Sequence, residues 1–157
     1  MVEENLRTAV ERRLISDVPL GCFLSGGIDS GLVTAIAADS MPNSLRTFSV
    51  SFEGEDEGQD ERVLASLVAK KYSTNHTQLT VCYSDRGILP EMAWHFGEPF
   101  ADISSLAVYQ ISAAARADIT VALTGDGGDE SFCGYANVRA ARLAQFARPF
   151  LPGPIQT

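Results

Sequence analysis

Apolar and polar positions repeat with two different periods along this chain, and the two periods predict helices and strands in turn. Leu6, Val10 and Leu14 recur at helical spacing among charged residues, which predicts an amphipathic helix over residues 3–15. Short apolar or alternating runs bounded by turn-forming residues predict strands. The predicted strands cover 20–24, 46–52, 76–81 and 118–123, and the further helices cover 32–38, 62–72, 87–96, 104–116 and 130–148.

The alternation of strands with helices predicts the fold class. A strand, a helix and a second parallel strand form a βαβ unit, whose crossover is almost always right-handed. A chain of 157 residues has the size of one ordinary domain. We therefore expect an α/β domain of three layers, in which a parallel sheet carries helices on both faces.

The pattern also predicts finer features within the helices. Val63, Leu67 and Val68 recur along one side of their helix and are expected to face the core. Ser104 or Ser105 is expected to cap the helix that follows, because a serine hydroxyl can accept a hydrogen bond from the first free N–H groups.

Composition and charge exclude several classes of protein. The chain carries 12 Lys and Arg against 20 Asp and Glu, a formal net charge of −8, whereas binding to nucleic acid or an anionic membrane needs clustered basic residues. No apolar run approaches the length of a membrane span, and the N-terminal residues lack the apolar core of a signal peptide. The three cysteines stand far apart, with no pair spaced for zinc. We expect a cytoplasmic protein that binds neither nucleic acid nor a membrane.

The sequence SGGIDS begins at Ser25, between a predicted buried strand and a helix. The free N–H groups of a helix N-terminus bind phosphate oxygens, and Gly26 and Gly27 let the backbone approach closely. Ser30 adds a second hydroxyl, and Asp29, which would repel a bare phosphate, suits a bridging Mg²⁺. No Lys stands where a Walker A motif needs one. The alternative is an ordinary tight turn with Asp29 as a cap.

A second polar loop, TGDGGDE, begins at Thr124 after the last predicted strand. In open α/β sheets, ligands bind beyond the carboxyl ends of the strands. Carboxylates from two such loops, beside a phosphate-binding turn, make up the donor set of a magnesium–nucleotide site. Taken alone, this loop is equally well a surface turn with solvated acids.

Several ordered segments carry a resemblance to a known family. They are LISDVPLGCFLSGGIDS, TFSVSFEG, an acidic stretch, DERVLASLVA, WHFGEPFADISSLAVYQIS and VALTGDGGDESFCGY. Together they resemble the synthetase domain of glutamine-dependent asparagine synthetases, a branch of the N-type ATP pyrophosphatases with their pyrophosphate (PP) loop. The resemblance covers roughly residues 3–142 and implies an adenine nucleotide alpha hydrolase-like fold. It makes residues 1–157 a partial domain, without the N-terminal glutaminase domain and the C-terminal helical part.

The resemblance implies that ATP and Mg²⁺ are the cofactors, and it assigns each a set of residues. The nucleotide would contact backbone groups or hydroxyl groups of residues on two strands and in two loops. The metal would meet carboxylates of the first loop, the second loop and the acidic stretch. The cofactor-binding residues are Phe23, Ser25, Gly26, Gly27, Asp29, Ser30, Val50, Thr124 and Gly125, and the metal ligands are Asp29, Asp129 and Asp60, or Glu61 next to it.

The resemblance also implies the reaction. The β-carboxylate of aspartate attacks ATP to give β-aspartyl-AMP, and ammonia from a glutaminase domain supplied elsewhere then displaces AMP. Asp126 would act as the catalytic acid or base at the reacting centre, while Glu98 and Asp102 would face aspartate. The partners are thus ATP, aspartate and ammonia, and a homodimer is compatible with the resemblance.

Three alternatives stay open. In full-length members a C-terminal lysine stabilises the developing charge, and Lys70 and Lys71, the only lysines here, do not match it. The chain is then an ATP-binding module without complete catalysis, or a truncated piece with an interaction role. Alternatively, the amidotransferase acts on another acid, such as a cell-envelope sugar or a β-lactam-type metabolite.

Some conspicuous side chains are given structural roles. His76 and His95 each stand alone and are expected to be hydrogen-bonded structural histidines, and Trp94 is expected to pack in the core. The acidic run over 53–61 is interpreted as a solvated loop. The cysteines are interpreted as small, partly buried apolar residues.

Overall fold

The chain falls into two compact units, residues 1–125 and residues 126–157. Asp60 and the acidic run up to it lie outside the described residues, as do Cys82 and Cys133. The computed structural model describes residues 1–52, 61–81, 87–98, 102–132 and 134–147.

Strands and helices alternate in the first unit as the hydrophobic pattern predicts. Every predicted strand is present, and the predicted helices are present with ends that differ by a few residues. The strands are β1 (Leu20–Phe23), β2 (Arg46–Phe52), β3 (Asn75–Val81) and β4 (Val121–Leu123). The helices are α1 (Val2–Arg13), α2 (Ile28–Ser40), α3 (Glu61–Lys71), α4 (Ile88–Phe96), α5 (Ile103–Ala115), α6 (Gly128–Phe132) and α7 (Ala136–Ala147).

The strands form one parallel sheet in the order β3-β2-β1-β4. The central strand β1 pairs with β2, where Gly21 stands opposite Arg46, and with β4, where Leu20 stands opposite Val121. Cys22 on β1 is completely buried. Because β1 and β4 are neighbours and parallel, the loops that follow them leave the same edge of the sheet.

Helices cover both faces of this sheet, which confirms the predicted three layers. On one face, α1 and α2 pack on β1 through Val10, Ile36 and Cys22. On the opposite face, Ile111 of α5 packs against Phe48 of β2. Parallel sheets are stable when both faces are covered in this way.

The buried side of α3 differs in part from the predicted one, since Val68 packs against the core cluster as expected. Val63 and Leu67 are more than half exposed, whereas Ala65 and Ala69 are buried and pack with Leu24 of the first loop. Small side chains let the helix lie close to the sheet and the loop, so the contact selects alanine rather than the largest apolar residues.

In the second unit, the predicted helix over 130–148 is two helices, α6 and α7. The N–H of Gly134 donates to the carbonyl oxygen of Asp129 at 3.0 Å. This bond spans five residues and is typical of a helix end. Helical periodicity continues across the break, and it therefore did not reveal the turn.

Two predictions about side chains are wrong. Trp94 is 88 % exposed on α4 and does not pack in the core. The cap of α5 is Asp102, whose carboxylate accepts a hydrogen bond from the Ser104 N–H at 2.9 Å. Among the helices of the described segments, none has the length and apolar character that a membrane span requires.

Candidate functional site

The loop between β1 and α2 has the tight backbone that its adjacent glycines predict. β1 ends at Phe23, and α2 begins at Ile28 with Gly27 as its N-cap. Gly26 has a φ of +85°, a left-handed conformation that glycine adopts without strain. The first N–H groups of α2 follow this turn directly and have no carbonyl partner within the helix, which suits an anion.

Two serines hold this loop through hydrogen bonds. Ser30 Oγ lies 2.9 Å from Ser25 Oγ, accepts from the Ser25 N–H at 3.2 Å and donates to the Gly27 carbonyl oxygen at 3.3 Å. Ser25 Oγ also accepts from the Gly27 N–H at 3.3 Å. Ser30 is buried and Ser25 is exposed. Ser30 therefore shapes the loop from inside, and Ser25 is the serine that a ligand can reach.

The start of α3 lies against the same loop. A methyl group at Gly26 would come within 2.5 Å of the Glu61 carbonyl oxygen and 3.0 Å of Leu64 Cβ. Glycine is therefore required at this position for space as well as for conformation. This contact brings Glu61, one of the two expected acids of the acidic stretch, next to the glycine loop, while Asp60 lies outside the described residues.

The loop after β4 reaches the loop after β1 at Gly125. A methyl group at Gly125 would lie 2.6 Å from the Ser30 backbone nitrogen and 3.0 Å from the Asp29 carbonyl carbon. Asp29 is partly exposed in the first turn of α2, and Thr124 is partly buried. The two loops that the sequence singled out thus meet at the carboxyl edge of the sheet.

The two strand-end residues of the predicted set lie on neighbouring strands. Phe23 ends β1 and Val50 lies on β2, two residues beyond the partner of Phe23 in the register. Both are partly buried against the cluster that contains Phe48 and Ile111. Their side chains therefore support the α5 face, and Val50 stands opposite Leu79 in the β2–β3 ladder.

In the second unit, three acids surround one tyrosine. The Tyr135 hydroxyl donates to Glu130 Oε1 at 2.6 Å. This hydrogen bond lowers the pKa of Glu130, and it raises the pKa of Tyr135 together with the negative charges of Asp129 and Asp126. Asp126, Asp129 and Glu130 are all exposed. Tyr135 is not among the site residues predicted from the sequence, although it stands five residues after Glu130.

Asp102 has a structural role beside the one implied for it. Its Oδ1 accepts hydrogen bonds from the N–H and the hydroxyl of Ser104, at 2.9 and 2.7 Å. These bonds from Ser104 lower the pKa of Asp102, because they favour the carboxylate. Glu98 is exposed beyond the end of α4.

His76 is a hydrogen-bonded structural residue, as predicted. Its Nδ1 lies 2.9 Å from Thr47 Oγ1 and its Nε2 lies 3.1 Å from Ser49 Oγ, both on β2. Burial lowers the pKa of His76. His95 instead packs edge-on against the rings of Phe96 and Tyr109.

Cys22 is a buried structural residue and not a reactive thiol. It is completely buried beneath the helices of the sheet face. Burial raises the pKa of its thiol to about 11, against an opposing contribution from the Thr34 hydroxyl. Since the thiolate is the reactive form, this cysteine is inert at neutral pH.

The donor set suits a hard cation that brings ligands of its own. Within the described residues, no three His, Cys, Asp or Glu side chains lie close enough to form a metal cage. Mg²⁺ characteristically takes one or two carboxylates and completes its shell with water and phosphate oxygens. Asp29, at a helix N-terminus framed by close-packed glycines, fits that requirement.

Comparison with known proteins shows which family the chain resembles. The family model described as asparagine synthase matches residues 1–153. The chain is 39 % identical over 140 residues to a putative glutamine-hydrolysing asparagine synthetase 2 of Methanocaldococcus jannaschii, over 86 % of this chain and 27 % of that protein. It is 37 % identical over 135 residues to asparagine synthetase 1 of Bacillus subtilis, also described as glutamine-hydrolysing, over 85 % of this chain and 21 % of that protein. It is 32 % identical over 162 residues to amidase chyE of Penicillium rubens, over 92 % of this chain and 24 % of that protein. The chain thus spans about a quarter of the length of these relatives.

Solved structures share the fold at low sequence identity. The NH3-dependent NAD synthetase from Campylobacter jejuni superposes with a TM-score of 0.54 at 14 % identity, over 86 % of this chain and 59 % of that one. The NMN synthetase from Francisella tularensis gives a TM-score of 0.50 at 17 % identity, over 85 % of this chain and 56 % of that one. These likenesses confirm the adenine nucleotide alpha hydrolase-like fold. With a family model that matches nearly the whole length, this chain belongs to the asparagine synthase family.

Proposed function

We propose that this chain is the ATP-binding part of an asparagine synthase-type ligase, which binds ATP with Mg²⁺ and adenylates the side-chain carboxylate of aspartate. The observation that carries the proposal is the contact of Gly125 with the Ser30 backbone. It joins two polar loops at the carboxyl edge of a parallel sheet, the place where open α/β folds bind their ligands.

The pyrophosphate part of ATP would bind the loop after β1. The free N–H groups at the start of α2 and the Ser25 hydroxyl are the donors, and the close-packed Gly26 keeps the backbone open to the phosphates. Ser30 contributes by holding the loop shape. The adenine would meet the backbone at Phe23 and Val50, and Thr124 and Gly125 would flank the AMP part.

Mg²⁺ would be held by Asp29, with Asp129 as a second ligand and Asp60 or Glu61 near the pyrophosphate. The ion supplies charge neutralisation at the phosphates when it is bound. The described acids form no cage by themselves, and we therefore expect Mg²⁺ to bind together with ATP rather than before it.

In the proposed reaction, a carboxylate oxygen of aspartate attacks the α-phosphorus of ATP, and pyrophosphate leaves. Ammonia then attacks the acyl carbon of β-aspartyl-AMP, and AMP leaves with the carboxylate oxygen. The ammonia would come from a glutaminase domain. Asp126, as the acid or base next to Gly125 in sequence, would move a proton at the reacting centre. Most of the catalysis is positioning and neutralisation of charge.

A second candidate function keeps the nucleotide site and changes the acid. One relative bears the name of an amidase rather than that of an asparagine synthetase, at 32 % identity. In this alternative the same loops activate the carboxylate of a different substrate. A third possibility is a module that binds the nucleotide but does not carry out the complete reaction, and the experiments below distinguish it from the two candidate functions.

The nucleotide site is tested by titrating the chain with ATP in the presence of Mg²⁺ in a calorimeter. We expect the Asp29→Ala variant to lose at least about tenfold in affinity, because a direct ligand of the metal is removed. Asp39→Ala is the matched control on the same helix. Asp39 forms a partly exposed ion pair with Arg7 at 3.2 Å, and the variant should therefore bind ATP as the unmodified chain does. Equal affinity in both variants would remove Asp29 from the site.

The substrate is tested by the exchange of labelled pyrophosphate into ATP. Exchange that requires aspartate supports the asparagine synthase-type reaction. Exchange that requires another acid supports the second candidate, and ATP binding without exchange supports the binding module.

A further inference from the structure

In the second unit, the carboxylate of Asp129 occupies the space where any other residue at position 134 would place its side chain. A methyl group at Gly134 would overlap with Asp129 Oδ1 and would lie 2.8 Å from Asp129 Cγ. The backbone of Gly134 is itself fixed, because its N–H donates to the Asp129 carbonyl oxygen at 3.0 Å. Two contacts thus tie Gly134 to a single acid.

The backbone conformation does not explain this glycine. Among the described residues, the glycines with positive φ are Gly26, Gly97 and Gly127, and Gly134 is not one of them. Its φ therefore lies outside the left-handed region that favours glycine. A side chain at position 134 would require the Asp129 carboxylate to move.

The neighbouring acid has a different partner. Glu130 accepts a hydrogen bond from the Tyr135 hydroxyl at 2.6 Å. Tyr135 follows Gly134 in sequence, so the two successive residues of one turn hold two successive acids of α6. The Asp129 carboxylate fills the space beside Gly134 where a side chain would lie, whereas Glu130 accepts a hydrogen bond.

We propose that Gly134 is a positioning residue, which leaves the space that the Asp129 carboxylate occupies in the orientation for metal binding, while Glu130 is hydrogen-bonded to Tyr135. The inference rests on the proposed function, in which Asp129 is a ligand of the metal. Gly134 touches neither metal nor nucleotide in this account and acts only through Asp129. Its replacement displaces the carboxylate while every other donor of the site stays in place.

The first test measures metal binding directly. Free Mn²⁺ is followed by electron paramagnetic resonance, as a probe for Mg²⁺, while the full chain is titrated in the presence of saturating ATP. We expect Gly134→Ala to weaken Mn²⁺ binding by about tenfold or more, the usual effect of losing a group that orients a metal ligand. Tyr135→Phe is the matched control in the same turn, and it should stay within about twofold because it leaves Asp129 untouched.

A double-variant cycle distinguishes positioning from a general effect on folding. With Asp129→Ala, the overlapping carboxylate is gone, and adding Gly134→Ala should then cause no further loss of Mn²⁺ affinity. The melting temperature should follow the same rule: Gly134→Ala lowers it in the unmodified chain and hardly changes it in the Asp129→Ala background. This second readout remains decisive even if the single variant is too unstable to bind metal.

Three results would overturn the inference, and only the last of them is also a failure of the proposed metal ligand. Gly134→Ala with normal Mn²⁺ affinity, beside an Asp129→Ala variant that has lost it, removes the positioning role but keeps the metal site. An equal loss of melting temperature in both backgrounds removes the steric explanation. Normal Mn²⁺ binding by Asp129→Ala instead refutes the metal ligand itself, and the proposed role of Gly134 with it.

Discussion

At the scale of single residues, the space available for a side chain determines which glycines of the site can be replaced. A methyl group added at Gly26 or at Gly125 would come within 2.5–2.6 Å of a backbone atom of another segment, which is too close for a side chain to be accommodated. Gly31, one residue beyond the loop, has its nearest neighbour at 3.9 Å and tolerates a methyl group. Substitution by alanine is therefore expected to be disruptive at Gly26 and Gly125 and tolerated at Gly31.

We predict that Gly125→Ala separates the two loops. Its Cβ would lie 2.6 Å from the Ser30 backbone nitrogen, which cannot move without shifting the start of α2. ATP affinity in the presence of Mg²⁺ should fall by at least about tenfold, an expected cost of about 1.4 kcal/mol or more. Calorimetry of the full chain measures this loss.

Gly31→Ala is the control for that prediction. It adds the same methyl group inside α2 and should leave ATP affinity unchanged, with a gain in helix stability of up to about 1 kcal/mol. If the two variants bind ATP equally well, the loops do not depend on their contact at Gly125.

At the scale of elements, the hydrophobic pattern located helices and strands well and assigned their buried sides less well. For α1, the predicted residues do pack inward, with Val10 buried in the core. For α3, Val63 and Leu67 are largely exposed, whereas Ala65 and Ala69 make the contact together with Val68. Helical periodicity identifies the apolar side of a helix. Close packing against the glycine loop depends instead on the size of the side chains.

This reversed orientation of α3 makes a prediction about stability. Ala65→Leu adds volume at a completely buried position next to Leu24 and should destabilise the chain by about 1–3 kcal/mol. Leu67→Gln changes a side chain that is 57 % exposed and should alter the free energy of unfolding by less than about 0.5 kcal/mol. Urea denaturation measures both. A costly Leu67→Gln beside a harmless Ala65→Leu would show that the predicted face was right.

At the scale of the whole molecule, one face of the sheet carries a polar strip that joins two strands. Thr47 Oγ1 lies 2.8 Å from Thr74 Oγ1 and also contacts His76, which reaches Ser49 through its other ring nitrogen. Thr47 and Ser49 are buried. The edge strand β3 is therefore held to β2 by side chains as well as by the backbone ladder, and this connection includes a histidine whose pKa is lowered by burial.

We predict that stability falls as the pH drops below that of ordinary histidine titration. Burial lowers the pKa of His76 in the folded chain relative to its ordinary value of 6.5. The unfolded chain then binds the proton first, so the stabilisation is complete above about pH 6.5 and is lost as the pH falls through the lowered folded pKa. The midpoint of urea denaturation should decrease from pH 7.5 to pH 5.5.

The two histidines of the chain allow a clean control. His76→Gln should remove most of this dependence between pH 7.5 and 5.5, while His95→Gln should keep it, because His95 lies outside the polar strip on α4. An unchanged pH profile in His76→Gln would assign the dependence to other groups.

The sequence by itself determined the order of strands and helices, the parallel α/β class, the family and the two loops that carry polar chemistry. These features depend on local periodicity and on motifs that are contiguous in the chain. The tertiary structure decided what depends on contacts between distant segments. Gly125 meets Ser30 across 95 residues of chain, α3 turns its alanines inward, and Asp129 fills the space at Gly134. Steric room between segments is a property of three-dimensional packing, and no pattern along a single chain records it.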